Sequence, residues 1–359
     1  MQKDIIGYGS FIEGTYGRKL PQLSAPDLGD TLLFYAGRYA LKYLIKRISA
    51  ETHIDTIWMP QYYCHFVKEW MHHEFETIKY YYVDPFEPES KIDWAQFKSI
   101  NDLVMVNNYW GLKNTDIPDG DRPIIIEDHS HGWLSEGSLH SKADFCFASL
   151  RKTLPIPMGG IAWKPKASKS NITLYKPEIF DTCTSENPMN KAWDTIIGSM
   201  RLKETCTAHV QKERYLEQYM KGELMVRSIY EVYEVSTEHA AFINQYIHIN
   251  FNSFKKENVD YALPKLITSN DFKVVQHATK ASFGLLLAFK KEDALNDLKK
   301  HLVANQIYPA LLWPKNDLTT TYSYLLNIHM DYRFDTTDLN YIISTINNWT
   351  TSNNQLHHV

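Results

Sequence analysis

Short hydrophobic runs alternate with stretches of helical periodicity along the first part of the chain. The runs predict strands at 55–60, 77–83, 103–106, 124–126 and 145–147. Residues 31–48 predict a loop that leads into an amphipathic helix, and residues 64–73 predict a second helix. Strands that alternate with helices are typical of βαβ units, so we expect an α/β fold with a mostly parallel sheet.

The pattern changes in the second half of the chain. It predicts helices at 196–226, a strand at 283–289, a charged helix at 291–305 and a last helix at 337–349. This order indicates a smaller α+β domain at the C-terminus. We therefore expect an irregular N-terminal arm over 1–30, a large domain over 31–237 and a small domain over 238–359.

Composition narrows the class of protein. The chain has 359 residues, of which 44% are hydrophobic and 22% charged, as expected of a globular protein with a large core. The net charge of -4 argues against nucleic acid or an anionic membrane as the main partner. No apolar run approaches the roughly 18 residues of a membrane span, and the N-terminus has no signal-peptide core, so we expect a cytoplasmic protein.

Cysteine and histidine spacing adds little. The 4 cysteines are scattered, which predicts no disulfide framework and fits a reducing compartment. The 15 histidines show no recognisable metal-ligand spacing, so we expect no metal site.

Candidate site residues follow the ends of several predicted strands. They are Pro60, Gly111, Asp128 and Lys152. In parallel sheets the ligand binds beyond the carboxyl ends of the strands, so we expect these residues to lie near one site.

Asp128 and Lys152 together indicate a heterocyclic cofactor. A carboxylate can hold a protonated ring nitrogen, and a lysine can form a Schiff base with an aldehyde. Both properties are what pyridoxal 5'-phosphate (PLP) requires. The alternatives are that Asp128 only caps a helix or faces solvent, and that Lys152 only forms a structural ion pair.

Neighbouring segments offer groups for the rest of such a cofactor. Gly37–Ala40 opens a helix, whose first N–H groups favour an anion such as a phosphate, and the Ser149 hydroxyl can donate to the same anion. The aromatic residues of 60–66 can cover a ring face, although core packing explains each of them equally well. Gly159 and Gly160 are read as a tight turn.

Several blocks in a fixed order resemble one known family. They are GYGSFIEG, FYAGRYALKYLIK, MPQYYCHF, YYYVDP, NNYWG, IIIEDHSHG and FASLRKTLPIPMGG, with a weaker continuation through LLWP and MDYRF. In this order they resemble the DegT/DnrJ/EryC1/StrS sugar aminotransferases of PLP fold type I, as a divergent branch, over nearly the whole chain.

The resemblance implies a role for each matching residue. Asp128 is the ring acid, His131 binds the ring hydroxyl, Lys152 carries the cofactor and Ser149 binds the phosphate. The phosphate loop falls on Gly37, Arg38 and Tyr39, with Arg38 where most members have threonine. The stacking aromatic falls at or beside Cys64, so either Tyr63 or Phe66 replaces it or the ring is held differently. The Asn-x-Arg segment that a neighbouring subunit contributes has no clear counterpart.

The resemblance also implies a function. It predicts a homodimeric PLP-dependent aminotransferase that moves an amino group from an amino acid, expected to be L-glutamate, to a keto sugar. The sugar is expected to be nucleotide-linked, in surface-polysaccharide or amino-sugar biosynthesis. The alternatives are a PLP enzyme that acts on a small phosphorylated ketone and a non-catalytic relative that keeps the fold.

Overall fold

The computed structural model of the protein describes residues 7–9, 11–14, 28–87, 89–175, 187–206 and 209–356. The strands in these ranges are β1 (Tyr8–Gly9), β2 (Thr31–Phe34), β3 (Ile57–Pro60), β4 (Ile78–Tyr81), β5 (Leu103–Asn107), β6 (Ile124–Asp128), β7 (Phe145–Ser149), β8 (Gly160–Trp163), β9 (Phe272–Val275), β10 (Leu285–Phe289), β11 (Ile307–Tyr308), β12 (Ala310–Leu312) and β13 (Tyr324–Ile328).

The α-helices of the described ranges alternate with the first strands and then dominate the second half. They are α1 (Gly37–Ser49), α2 (His65–Glu74), α3 (Glu136–Leu139), α4 (Pro188–Glu204), α5 (His209–Arg227), α6 (Thr237–Asn244), α7 (Phe251–Ala262), α8 (Glu292–Ala304) and α9 (Thr336–Leu356). None of the helices in the part of the chain that the structure describes is long and apolar enough to cross a membrane.

A seven-stranded sheet forms the centre of the first half, in the order β2-β8-β7-β6-β5-β3-β4. The strands from β7 to β4 are parallel to their neighbours, and β8 is antiparallel to both β7 and β2. Strand β5 is buried at every residue, and β6 and β7 are buried at four of five. Such continuous apolar runs are typical of parallel strands covered on both faces, which confirms the predicted α/β class.

The C-terminal part has a sheet of its own. Strands β12, β13, β10 and β9 form a four-stranded antiparallel sheet, against which α8 and α9 bury a second hydrophobic cluster. Strand β1 pairs in parallel with β11, so the described part of the N-terminal arm is attached to this region. The smaller α+β unit was predicted, while the domain boundaries at 30 and 237 remain predictions.

Two short segments were misread from the sequence. Thr31–Phe34 was read as a loop but forms an edge strand antiparallel to β8. Gly160 was read as part of a tight turn but begins β8, directly against Ala36 before α1. A Cβ at Gly160 would lie 2.4 Å from the Ala36 carbonyl oxygen, so close approach of two backbones requires this glycine.

Candidate active site

The polar candidates lie at the carboxyl ends of two adjacent parallel strands. Asp128 is the last residue of β6 and Ser149 is the last residue of β7. Lys152 ends a 3₁₀ turn, Leu150–Lys152, directly after β7. Both buried strands end where their sequence becomes polar, so the local pattern places these side chains at one edge of the sheet.

Asp128 is buried and its two oxygens accept hydrogen bonds from three donors. Oδ1 accepts from the backbone N–H of Ser130 at 2.7 Å, and Oδ2 accepts from the Tyr63 hydroxyl and from Asn107 Nδ2 at 3.3 Å. Burial and the Asp128 charge raise the pKa of Tyr63 well above its ordinary value, so this hydroxyl stays protonated as a donor. The carboxylate therefore has a fixed orientation.

His131 connects the acid to the lysine. Its Nε2 lies 3.2 Å from Lys152 Nζ, and no hydrogen bond to its Nδ1 exists within the described ranges. Its ring stacks on Phe283 at 4.4 Å and on Trp313 at 5.1 Å between centroids. Burial, with the charges of Lys152 and Lys255, holds the pKa of His131 well below its ordinary value. The imidazole is therefore neutral near pH 7.

The turn that carries Lys152 is anchored by its neighbour. Arg151 forms a two-pronged ion pair with Glu223 of α5, with Nη2 2.9 Å from Oε2. Within the described residues Lys152 Nζ has no carboxylate partner. The alternative reading of Lys152 as half of a structural ion pair is therefore not supported.

A second corner of the site is formed where α1 meets β7. A Cβ at Gly37 would lie 3.0 Å from Ser149 Cβ, so the helix start and the serine touch. Helix α1 has no acidic residue in its first turn and no side-chain cap. The Ser130 hydroxyl accepts from Ser149 N at 2.9 Å and fixes the strand end. Helix N–H groups beside a serine hydroxyl suit a phosphate.

The side chains of Arg38 and Tyr39 are turned to the end of α5. The Arg38 guanidinium donates to the Val226 carbonyl and to the Tyr39 hydroxyl, the latter at 3.0 Å. The Tyr39 hydroxyl donates to the carbonyls of Val226 at 3.1 Å and Ile229 at 3.0 Å. The Tyr39 backbone N–H donates to the Ala36 carbonyl at 3.1 Å, so a phosphate role for this pair rests on the Arg38 backbone N–H and stays a prediction.

The position of the stacking aromatic departs from the expected pattern. Cys64 immediately precedes α2 and is half-buried. Phe66 is 48% exposed, with the Arg227 guanidinium 4.3 Å from its ring centre. Tyr63 is the aromatic of this segment that contacts Asp128, and its ring lies 5.3 Å from that of Trp313. Of the two substitutes considered, the structure favours Tyr63.

Sequence reasoning missed four residues of this site: Asn107, Lys255, Phe283 and Trp313. Lys255 is 3% exposed, with Nζ 3.2 Å from Thr153 Oγ1 and 4.9 Å from the centre of the Phe283 ring. Burial lowers its pKa from 10.5 to about 8. A signal existed, because Lys255 shares the buried stripe of α7 with Phe251, Val259 and Ala262 at helical spacing.

A separate cavity of about 420 Å³ adjoins the site without containing Asp128 or Lys152. Its walls include Phe86, Trp94 and Trp110, and Asn107 is shared with the Asp128 cluster. This cavity therefore offers open space beside the charged cluster, where a larger substrate group can be accommodated.

The residues present fit PLP. An acid, a neutral histidine, a lysine without a carboxylate partner among the described residues, and a helix start beside a serine lie at neighbouring strand ends, which is the donor set the cofactor requires. Asp128 Oδ2 already accepts from the Tyr63 hydroxyl. A ring N–H must share this oxygen with Tyr63 or displace its hydroxyl.

The mostly parallel seven-stranded sheet, in which only β8 is antiparallel to its neighbours, and the second, antiparallel sheet have the α/β fold of PLP fold type I. Solved structures of sugar aminotransferases share this fold. Spr1654 of Streptococcus pneumoniae, assigned as a sugar aminotransferase and solved in its PMP form, is 12% identical over 98% of this chain and 100% of its own, with a TM-score of 0.61.

Two other enzymes extend the comparison. A DegT DnrJ EryC1 StrS aminotransferase from Brucella abortus is 13% identical over 90% of this chain and 87% of its own, with a TM-score of 0.51. The GDP-4-keto-6-deoxymannose-3-dehydratase ColD is 12% identical over 88% of both chains, with a TM-score of 0.54. No protein-family model and no curated protein matches the sequence. The chain therefore has the fold that the resemblance predicted.

Proposed function

We propose that this chain is a PLP-dependent aminotransferase that moves an amino group from an amino acid to a keto sugar. The expected donor is L-glutamate and the expected acceptor is nucleotide-linked, in surface-polysaccharide or amino-sugar biosynthesis. The observation that carries the proposal is the Lys152–His131 contact of 3.2 Å beside Asp128, in a fold shared with sugar aminotransferases.

When bound, PLP supplies an aldehyde for covalent attachment and a ring that accepts electrons. In this proposal Asp128 would hold the ring nitrogen protonated, and the helix start at Gly37 would bind the phosphate together with the Ser149 hydroxyl. His131 offers a neutral Nε2 to the ring hydroxyl, as the resemblance implies. Phe283 and Trp313 hold the imidazole in place and exclude water from it.

Lys152 has two roles in this proposal. Its amine would hold the cofactor through the aldehyde. It would also serve as the general base and acid that moves a proton at the substrate carbon. A lysine without a carboxylate partner suits this role, because an ion pair would hold the amine charged and away from the substrate.

The aromatic cavity beside Asn107 is the place we propose for the acceptor. Its volume of about 420 Å³ and its tryptophan and phenylalanine walls suit a sugar ring, which packs its C–H faces on aromatic side chains. A dimer is also proposed, since the PLP phosphate carries about two negative charges and the donors at Gly37 and Ser149 leave room for a group from a second chain.

Lys255 favours a second candidate function. A buried amine without a carboxylate partner among the described residues suits an anionic group on the substrate itself. A PLP enzyme that acts on a small phosphorylated ketone would use such a cation. Asp128 and Lys152 are both retained, which argues against a non-catalytic relative.

The test is a half-reaction with L-glutamate and no acceptor. The holoprotein should release about one equivalent of 2-oxoglutarate per chain, and Lys152→Ala should release none. Lys142→Ala, a surface change, serves as the control and should behave as wild type. Addition of a keto sugar or a phosphorylated ketone to the aminated enzyme then identifies the acceptor class. Release by Lys152→Ala at the wild-type rate would contradict the proposal.

A further inference from the structure

We propose that Glu127, His129 and Cys146 bind a zinc ion on the face of the large sheet opposite Asp128. Nothing in the proposed aminotransferase reaction uses these residues. One ligand atom from each of them lies within 4.8 Å of the others, and all three residues are buried. The site would be structural or regulatory and separate from the cofactor.

The backbone register brings the ligands together. Glu127 pairs directly with Cys146 across the parallel strands β6 and β7, and the pairing continues through His129 N, which donates to the Phe147 carbonyl at 2.8 Å. Side chains alternate between faces along a strand, so Glu127, His129 and Cys146 share one face. Asp128 points to the other face. The set mixes one glutamate, one histidine and one cysteine from two strands, so the spacing of histidines and cysteines alone did not reveal it.

The distances suit tetrahedral zinc. Glu127 Oε2 lies 3.1 Å from His129 Nε2, and Cys146 Sγ lies 3.3 Å from Ser141 Oγ, which itself lies 2.6 Å from Glu127 Oε2. Zinc bonds of about 2.0–2.1 Å to nitrogen and oxygen and about 2.3 Å to sulfur place tetrahedral ligands roughly 3.3–3.6 Å apart. Only small side-chain movements separate this cluster from a complete site.

The ring nitrogens of His129 provide a second observation, independent of the distances, that points to a bound ion. The residue is 0% exposed, yet neither ring nitrogen has a hydrogen-bond partner in the described part of the chain. Its contact with Glu127 is within ion-pair distance but outside hydrogen-bond geometry. A fully buried imidazole without hydrogen bonds loses its hydration and gains no hydrogen bond in exchange. A metal bound to one ring nitrogen would offset that cost.

The charges also balance around zinc. When Zn²⁺ binds, the Cys146 thiol releases its proton to solvent, and one carboxylate and one thiolate neutralise the dication.

Two hydroxyls and a cleft complete the environment. Thr115 and Ser141 each donate to one oxygen of Glu127, at 2.8 and 2.6 Å, and so orient the carboxylate as outer-shell partners of metal ligands do. A cleft of about 310 Å³ is lined by Glu127, Ser141 and His140. Of the three proposed ligands only Glu127 lines this cleft, so the ion and the water of the fourth position would enter past Glu127.

The experiment uses the full-length holoprotein, treated with a chelator and then titrated with Zn²⁺ alone against a chromophoric competitor. We expect one tight site per chain, release of about one proton per ion, and X-ray absorption that shows one sulfur ligand at about 2.3 Å. Cys146→Ser should weaken binding by more than roughly a hundredfold, since loss of an outer-shell partner alone costs about 10–100-fold.

Cys206→Ser, at another buried cysteine, is the matched control and should bind zinc as wild type. Zinc bound without a sulfur ligand, or equal affinity of wild type and Cys146→Ser, would overturn the proposal and assign the metal to surface histidines. The absorption measurement needs only wild-type protein, so it decides the question even if Cys146→Ser does not fold. Cobalt in place of zinc should give a thiolate charge-transfer band that the control keeps.

Discussion

Lys255→Met should make the protein more stable at neutral pH. The wild-type amine is buried, with the Thr153 hydroxyl as its hydrogen-bond partner at 3.2 Å. Its pKa falls from 10.5 to about 8 on folding, which costs about 3 kcal/mol of stability at neutral pH, because a tenfold change in proton affinity is worth about 1.4 kcal/mol. The variant also loses the hydrogen bond to Thr153, which lowers its stability by about 1 kcal/mol. The net gain in stability is therefore about 2 kcal/mol.

The pH dependence of the stability tests the same reasoning more sharply. Between pH 8 and pH 10.5 the unfolded chain binds a proton at Lys255 that the folded chain does not, so wild-type stability rises with pH over this range. The destabilisation caused by burial of the Lys255 amine is complete below pH 8 and absent above pH 10.5. Lys255→Met should lack this contribution, so its advantage over wild type should shrink as the pH rises.

Urea unfolding of the cofactor-free protein, followed by circular dichroism at pH 7 and at pH 10.5, measures both effects. Lys203→Met is the control, since the pKa of Lys203 is also lowered to about 8 but its Nζ lies 2.6 Å from Glu13 Oε2. Breaking that buried pair should destabilise by roughly 2–4 kcal/mol. The reasoning would be refuted if Lys255→Met were less stable than wild type at pH 7. It would also be refuted if the variant exceeded the wild-type free energy of unfolding by the same amount at both pH values.

Three further predictions concern the site. Asp128→Asn should fold normally but lower turnover by roughly two to four orders of magnitude, because an amide cannot hold a ring nitrogen protonated; near-normal turnover in steady-state assays would make Asp128 structural. Glu223→Gln should lower stability by about 1–3 kcal/mol, since Arg151 loses its buried partner, and an unchanged melting temperature would disprove this. Sedimentation at micromolar concentration should show a dimer, and a monomer with full activity would exclude a shared site.

The sequence predicted the part of the site that depends on local pattern. Asp128 and Ser149 end buried strands, and a parallel strand is a continuous apolar run whose polar end is visible in the sequence. Gly37 begins α1 as expected. Asp128 and Ser149 end strands that follow each other in the chain and pair in parallel, whereas the contact of Gly37 with Ser149 joins residues far apart in the sequence.

The rest of the site depends on contacts between distant parts of the chain. Phe283 and Trp313 reach His131 from the C-terminal half, and Lys255 reaches Thr153 from α7. The packing of Phe283 and Trp313 has no signature in local periodicity, and the buried stripe of α7 marks Lys255 as buried without showing what it contacts. Thr31–Phe34 was misread for a related reason, because a four-residue edge strand is defined by its pairing with β8 and not by its own pattern.

The most direct test of the account is to locate the covalent attachment of the cofactor. The holoprotein is reduced with borohydride, digested and mapped by mass spectrometry, with Lys152→Ala treated in parallel. The account predicts a single modified peptide that contains Lys152, and no modification in the variant. Modification of Lys255 in the wild-type protein, or a label that persists in Lys152→Ala at the same yield, would contradict the central claim.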